Sequence, residues 1–373
     1  MLVLKKYGIL SISIFILLIY AFTGDVYAQS IEYLRGKVIE ITSEDLDLDF
    51  GGGMSGDVQY FKVEVQSGEL KGQILELENT SFGDEVYDLW FEVGDRVFIE
   101  VYETDQGFSG HVVDYQRDIY LSILLVVFLI IIILIGKIKG IKAIVSLGVT
   151  IILILKILIP MILRGYSPFY MSLLIAFAST LITYIIIGGF TSKTIGALAG
   201  TLVGLFLAAS ISFIISGLAH IKGISGDEIN MLLYLPTEIN LDLTGLFLGG
   251  VIIGALGAVM DVSISISSSI SEIKKNSPMI SFKGLFLSGM EVGKDIMGTM
   301  TNTLILAYTG ASLPLLLIIN AYDFSFTRMI NMEFIAIEFV RAMAGSTGLI
   351  AAIPATALTT AYLMTRKEMK KDV

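Results

Sequence analysis

Two patterns of apolar residues divide this chain. Between residues 30 and 117, apolar and polar positions alternate in short runs, among them Lys37–Ile41, Tyr60–Val65, Gln73–Leu77 and Arg96–Val101. Turn signals separate the runs: Gly51–Gly53, Ser67-Gly68, Lys71-Gly72 and Gly94-Asp95. A period of two puts every second side chain on the same face of a strand. This part therefore predicts a small antiparallel all-β domain, an OB-like barrel or a sandwich. From residue 119 the alternation gives way to long apolar stretches at 119–136, 141–161, 167–190, 194–220, 243–268, 296–319 and 335–364. Each can cross roughly 30 Å of hydrocarbon at about 1.5 Å per residue. The expectation is a seven-span α-helical bundle over 118–366, preceded by the β-rich domain at 30–117 and followed by a tail at 367–373.

The chain opens with Lys5 and Lys6 before an apolar run from Ile9 to Phe22, and Val26-Tyr27-Ala28 offers a cleavage site. That arrangement reads as a secretory signal peptide over 1–28, with an uncleaved anchor helix as the alternative. Either one exports the β domain.

Composition supports the division. The chain is 54% hydrophobic and 16% charged, against about 25% charged in ordinary soluble domains. Residues 30–117 hold 20 acidic and 6 basic residues, a net of −14, whereas 118–373 hold 14 and 17, a net of +3. Neither part is basic enough to expect nucleic acid. There is no cysteine, and His111 and His220 are the only histidines. Disulfides, thiolate catalysis, cysteine-ligated clusters and a histidine-rich metal site are thereby excluded, and no cofactor or metal is expected.

Loop cations set an orientation. With the β domain outside, the inner segments carry Lys137, Lys139 and Lys142; Lys193; Lys274, Lys275, Lys283 and Lys294; and Arg366, Lys367, Lys370 and Lys371. The outer connections carry Arg164, Lys222 and Arg328. Twelve cations against three fit the positive-inside rule. They predict a multi-pass protein of a bacterial plasma membrane, with the β domain outside and the C-terminus cytoplasmic.

Polar residues inside the spans are the candidates for function. Asp261 is the only charged residue between Leu243 and Ser271. Gly250, Gly254, Gly257, Asp261, Ser265 and Ser268 share one helical face by their spacing, and this stripe is expected to face the bundle rather than lipid. Glu291, Asp295, Thr299 and Asn302 form a second stripe in the sixth span. The alternation of Ser263, Ser265 and Ser267 leaves open a break into extended backbone. Gly196, Gly200 and Gly204 in the fourth span, like Gly250, Gly254 and Gly257 in the fifth, are read as helix-packing positions. Glu338 and Arg341 are spaced for an ion pair within one helix.

Two further segments have competing readings. Glu44–Asp49 alternates carboxylates as a calcium loop does, but lacks glycine at the sixth position and glutamate at the twelfth, so a solvated acidic loop is expected. Ser277–Lys294 reads as an amphipathic helix on the inner surface that docks a partner or links along lipid.

The segments "GALGAVMDVSISISSS" (254–269) and "GMEVGKDIMGTMTNTLILAYTGASLPLLL" (289–317) resemble the YibE/F family of bacterial polytopic membrane proteins. The resemblance covers most of 118–365. It implies a multi-pass membrane protein of permease type, directs attention to Asp261, Glu291 and Asp295, and supplies no substrate.

The leading expectation is a permease or transporter of an ion or small solute, with a polar site between the fifth and sixth spans. Carboxylate, hydroxyl and amide oxygens suit cations or protons. No GxxxxGK[ST] loop is present, so direct use of ATP is not expected. The alternative is a non-transporting scaffold or sensor whose β domain binds a protein. An enzyme is not expected: there is no HExxH, and Tyr322-Asp323 lacks the GxGD half of an intramembrane aspartyl protease signature. The lipid bilayer is the expected partner, with a homo-oligomer or a partner membrane protein beside it.

Overall fold

The computed structural model describes residues 32–50, 55–83, 88–104, 107–224, 231–232, 241–322 and 324–369. The signal segment expected at 1–28 lies outside them. One compact unit ends at Ile131 and a second begins at Ile132.

The first unit contains five strands: β1 (Glu32–Asp49), β2 (Ser55–Val65), β3 (Ile74–Ser81), β4 (Arg96–Thr104) and β5 (Gly107–Tyr115). They form one sheet in the order β3-β2-β1-β4-β5, with every pairing antiparallel. The period-two pattern decides which side is buried. Leu34 and Val38 of β1 point inward with Phe61, Val63 and Val65 of β2, Leu75 and Leu77 of β3, and Val97, Ile99 and Val101 of β4. The intervening Tyr33, Arg35 and Lys37 are exposed. The outer strands β3 and β5 lie against one another, so the sheet curls around this core. Gln59 is fully buried, and its amide group is satisfied by the Phe91 backbone. Its Nε2 donates to the carbonyl at 2.8 Å, and Phe91 N–H donates to Oε1 at 3.1 Å.

Two features differ from expectation. The acidic segment 44–49 is the far end of β1 rather than a loop, with Asp45 opposite Val58 and Asp49 opposite Ser55. Its carboxylates alternate with Leu46 and Leu48, so it keeps strand period after the buried run has ended. The fifth strand has no clear apolar alternation, because Gly107, Ser109, Gly110 and His111 interrupt it.

The rest of the described chain is helical, and its first helix spans the boundary between the units. Helix α1 (Asp118–Leu153) runs through a five-residue π-turn at Ile154–Leu158 into α2 (Ile159–Leu163). Then come α3 (Pro168–Gly188), α4 (Ser192–Leu218), α5 (Leu243–Asn276), α6 (Phe282–Ala311), α7 (Leu313–Ala321), α8 (Phe326–Ile330) and α9 (Glu333–Met369). The π-turn has a local cause. Pro160 has no N–H to continue the ladder, and Ile159 N–H reaches back five residues to the Ile154 carbonyl.

Among the described residues, five helical runs are long and apolar enough to cross a membrane: 118–163, 168–188, 192–218, 243–276 and 333–366. The pair α6–α7, bent by 62°, brings the number to six if it is one broken span. Seven separate spans are not reproduced, because the first two expected stretches belong to one helical run. That run is broken at Lys137, whose φ of 48° and ψ of −127° are not helical. The sixth expected span, 296–319, is also redrawn. Its helix begins at Phe282, takes in the segment read as a surface helix, and bends at Ser312, where Pro314 starts the next helix. Leu285, Gly289 and Gly293 turn the apolar face of that segment into the bundle.

Helices α4 and α9 pack closely along their length. A Cβ at Gly196 or Gly200 would lie 2.1 Å from Thr360 Oγ1 or 1.7 Å from Thr356 Oγ1, and one at Gly204 would lie 2.6 Å from the Gly348 carbonyl. Such contacts exist only because these three residues have no side chain. Around this seam Leu205, Ile252, Val259, Val262, Ile266 and Leu349 form the main core.

Candidate functional site

Helix α5 is continuous from Leu243 to Asn276, so the serine ladder is helical and does not break into extended backbone. The Asp242 side chain caps it, accepting from Gly245 N–H at 2.8 Å. Continuity determines where each candidate points. Val259, Val262, Ser263, Ile266 and Ser267 are buried, and the opposite face carries the stripe singled out from the sequence. Gly250, Gly254, Gly257 and Asp261 are exposed, while Ser265 and Ser268 are partly buried. A Cβ at Gly250 or Gly257 would meet nothing within 4 Å, and one at Gly254 would touch the Tyr308 hydroxyl. Within a single chain this stripe therefore lies on the outer surface of the bundle.

Helix α6 repeats the arrangement. Leu285, Gly289, Gly293 and Leu304 are buried, whereas Glu291, Asp295, Thr299 and Asn302 are exposed on the other side. Gly289 sits against Ile270 and Gly293 against Ile266, which sets the antiparallel register of α5 and α6. The register puts Asp295 level with Ile264 and Asp261 level with Gly298. The two carboxylates are about one helical turn apart in depth, roughly 4.5 Å at 1.5 Å per residue. Glu291 is paired with Lys294 at 2.7 Å, and Thr299 Oγ1 donates to the Ile296 carbonyl at 3.0 Å. Ser268 Oγ donates to the Ile264 carbonyl. Farther along the bundle, Arg341 and Glu338 of α9 pair at 2.8 Å.

Behind Asp261 lies a group that the sequence reading passed over. Tyr184 of α3 is 1% exposed, and its hydroxyl sits 2.7 Å from Thr201 Oγ1 of α4 and 2.9 Å from the carbonyl of Met260, the residue before Asp261. The tyrosine donates to the carbonyl and accepts from the threonine. Ser263 lies beside the same hydroxyl. One buried phenol thus ties α3 and α4 to the turn of α5 that carries the carboxylate. A signal for it existed: Ser179, Thr180, Thr183 and Tyr184 share a side of α3 at helical spacing, and all four are buried.

Family models match both parts of the chain. Residues 124–366 match the YibE/F-like protein model, and residues 31–115 match the YibE/F family N-terminal domain. The chain belongs to the YibE/F-like family. No curated protein and no solved structure gives a match. For this YibE/F-like protein, family membership agrees with the apolar helices in describing a membrane protein with an all-β N-terminal domain.

Proposed function

We propose that this YibE/F-like protein is a permease for an ion or small solute, with the polar faces of α5 and α6 lining its route. One observation carries the reading: Asp261 stands on the outward face of an otherwise uncharged length of α5, with Asp295 a turn away in depth on the outward face of α6. A carboxylate against hydrocarbon is costly, so this face calls for water or protein beside it. A second copy or a partner membrane protein would supply the missing wall, and the open glycines of α5 permit its close approach. The oxygen-rich lining of Asp261, Ser265, Asp295, Thr299 and Asn302 favours a cation or proton over an anion.

The cation asymmetry of the loops supports an external β domain and a cytoplasmic C-terminus. The break at Lys137 supports counting α1 as two spans, and the sheet order, with β3 against β5, supports an OB-like barrel. A scaffold or sensor is the second reading. It is favoured by Leu46, Leu48, Phe50 and Phe82, which are exposed on the β domain, with Phe50 and Phe82 in ring contact.

Purified protein in proteoliposomes should conduct protons or alkali cations when a gradient is imposed. Asp261→Asn should remove most of the flux while leaving insertion and melting unchanged, because an amide of the same shape is no harder to bury. Equal flux from both proteins would remove Asp261 from the route.

A further inference from the structure

Helix α4 ends in a Schellman cap. Ile221 N–H donates to the Ser216 carbonyl at 3.0 Å, the six-to-one bond of that motif. The residue within such a turn is left-handed and is usually glycine, because a Cβ crowds the following carbonyl. Here it is His220, with φ of 53°. Its neighbour Gly223 shows where glycine is required, since a Cβ there would lie 2.4 Å from the Leu243 carbonyl.

The strained turn is held from several directions. The Glu333 carboxylate accepts from the backbone N–H of Lys222 at 2.7 Å and of Ile224 at 3.4 Å. Thr244 Oγ1 donates to the Lys222 carbonyl at 3.1 Å, and Ser216 Oγ to the Ile221 carbonyl at 3.2 Å. Strain kept in place by its surroundings is characteristic of functional positions.

His220 and Lys222 line a cavity of about 330 Å³, together with Phe213, Ser216, Thr244 and Leu248. Its body is apolar, from Phe213 and Leu248, and His220 and Lys222 are the basic residues that line it. Glu333 of α9, the carboxylate against this turn, is engaged by the loop amides. We propose that this cavity binds a phosphate group, with His220 and Lys222 as donors and the apolar wall taking whatever hydrocarbon the phosphate carries. The cavity lies where α4 ends and α5 begins, at the ends of two apolar helices. A phospholipid headgroup and free phosphate are the two sources of that chemistry. The site is separate from the Asp261 face and does not depend on transport.

The chain has only two histidines, so nitrogen-labelled histidine gives a readable spectrum of the full-length protein in maltoside micelles. The probes are a short-chain phosphatidylglycerol and inorganic phosphate, titrated separately. One imidazole signal, assigned to residue 220 by its loss in His220→Gly, should shift and saturate. Saturation by the lipid alone identifies a headgroup site, and saturation by phosphate alone a soluble-anion site. Either supports the proposal. His220→Gly should bind about tenfold more weakly, the equivalent of one charge-assisted hydrogen bond, and should melt higher because glycine suits the turn. Lys222→Met should also bind more weakly. No saturable shift with either probe would overturn the proposal. So would a His220→Gly protein that melts lower and binds as tightly as the parent, since the imidazole would then serve the fold.

Discussion

Gly200 and Gly257 have the same role in the sequence and different surroundings in the structure. Each belongs to a small-residue stripe at helical spacing, yet a Cβ at Gly200 would collide with Thr356 and one at Gly257 would meet open space. Gly200→Ala should therefore destabilise the protein by about 1–3 kcal/mol, the usual range for overpacking. In the monomeric protein, Gly257→Ala should be neutral, or should stabilise by up to roughly 1 kcal/mol through helix propensity. Thermal melts of the two variants in one detergent test this directly, and equal losses would refute the packing seam between α4 and α9. The stripes were legible in the sequence, but which one had a partner was not. Spacing places residues on a face and says nothing about what covers it. Thr356 and Thr360, whose hydroxyls rest on Gly200 and Gly196, are 156 and 164 positions away in the chain (356 − 200 and 360 − 196). Tyr184 was missed for the same reason, since its value lies in contacts with two other helices.

Among the elements, the β domain makes a self-contained prediction. Its core is drawn from its own strands and the connections between them, Leu70 and Phe91 included, so residues 30–117 expressed alone should give a β-type circular dichroism spectrum and a cooperative melt. Two neighbouring groups on β5 bound its pH range. The Arg117 guanidinium hydrogen-bonded to Asp114 holds that carboxyl below its ordinary value. Its contribution is full above the carboxylate range of about 4 and is lost as pH falls through the lower folded value. Burial pushes the Tyr115 phenol up. That contribution is full below about pH 10 and is lost as pH rises through the folded value. Melts across pH should narrow the acid loss in Asp114→Asn, and an unchanged acid limb would count against this pairing. Strand runs with strict alternation were readable. The acidic extension of β1 and the glycine-interrupted β5 were not, because both owe their pairing to a neighbour rather than to their own pattern. At the helix ends, the boundary expected between 136 and 141 falls on the break at Lys137, whereas Pro314 bends a run without ending its apolar character.

At the scale of the whole molecule, both polar stripes lie on the surface of the bundle, opposite to the buried faces that join α5 and α6 to α9. The sequence showed the stripes and the cost of leaving them in lipid. It could not show that one chain leaves them uncovered. A route along these faces requires that they meet water, directly or along a protein wall. Because the chain has no cysteine, single cysteines can be placed at 257, 261, 265, 295 and 299, with 263 and 267 as buried controls, and probed in membranes with a water-soluble thiol reagent. Labelling is expected at the five stripe positions and protection at 263 and 267. Protection of 261 and 295 from the water-soluble reagent, with labelling by a lipid-soluble one, would mean that these faces meet hydrocarbon and would contradict such a route.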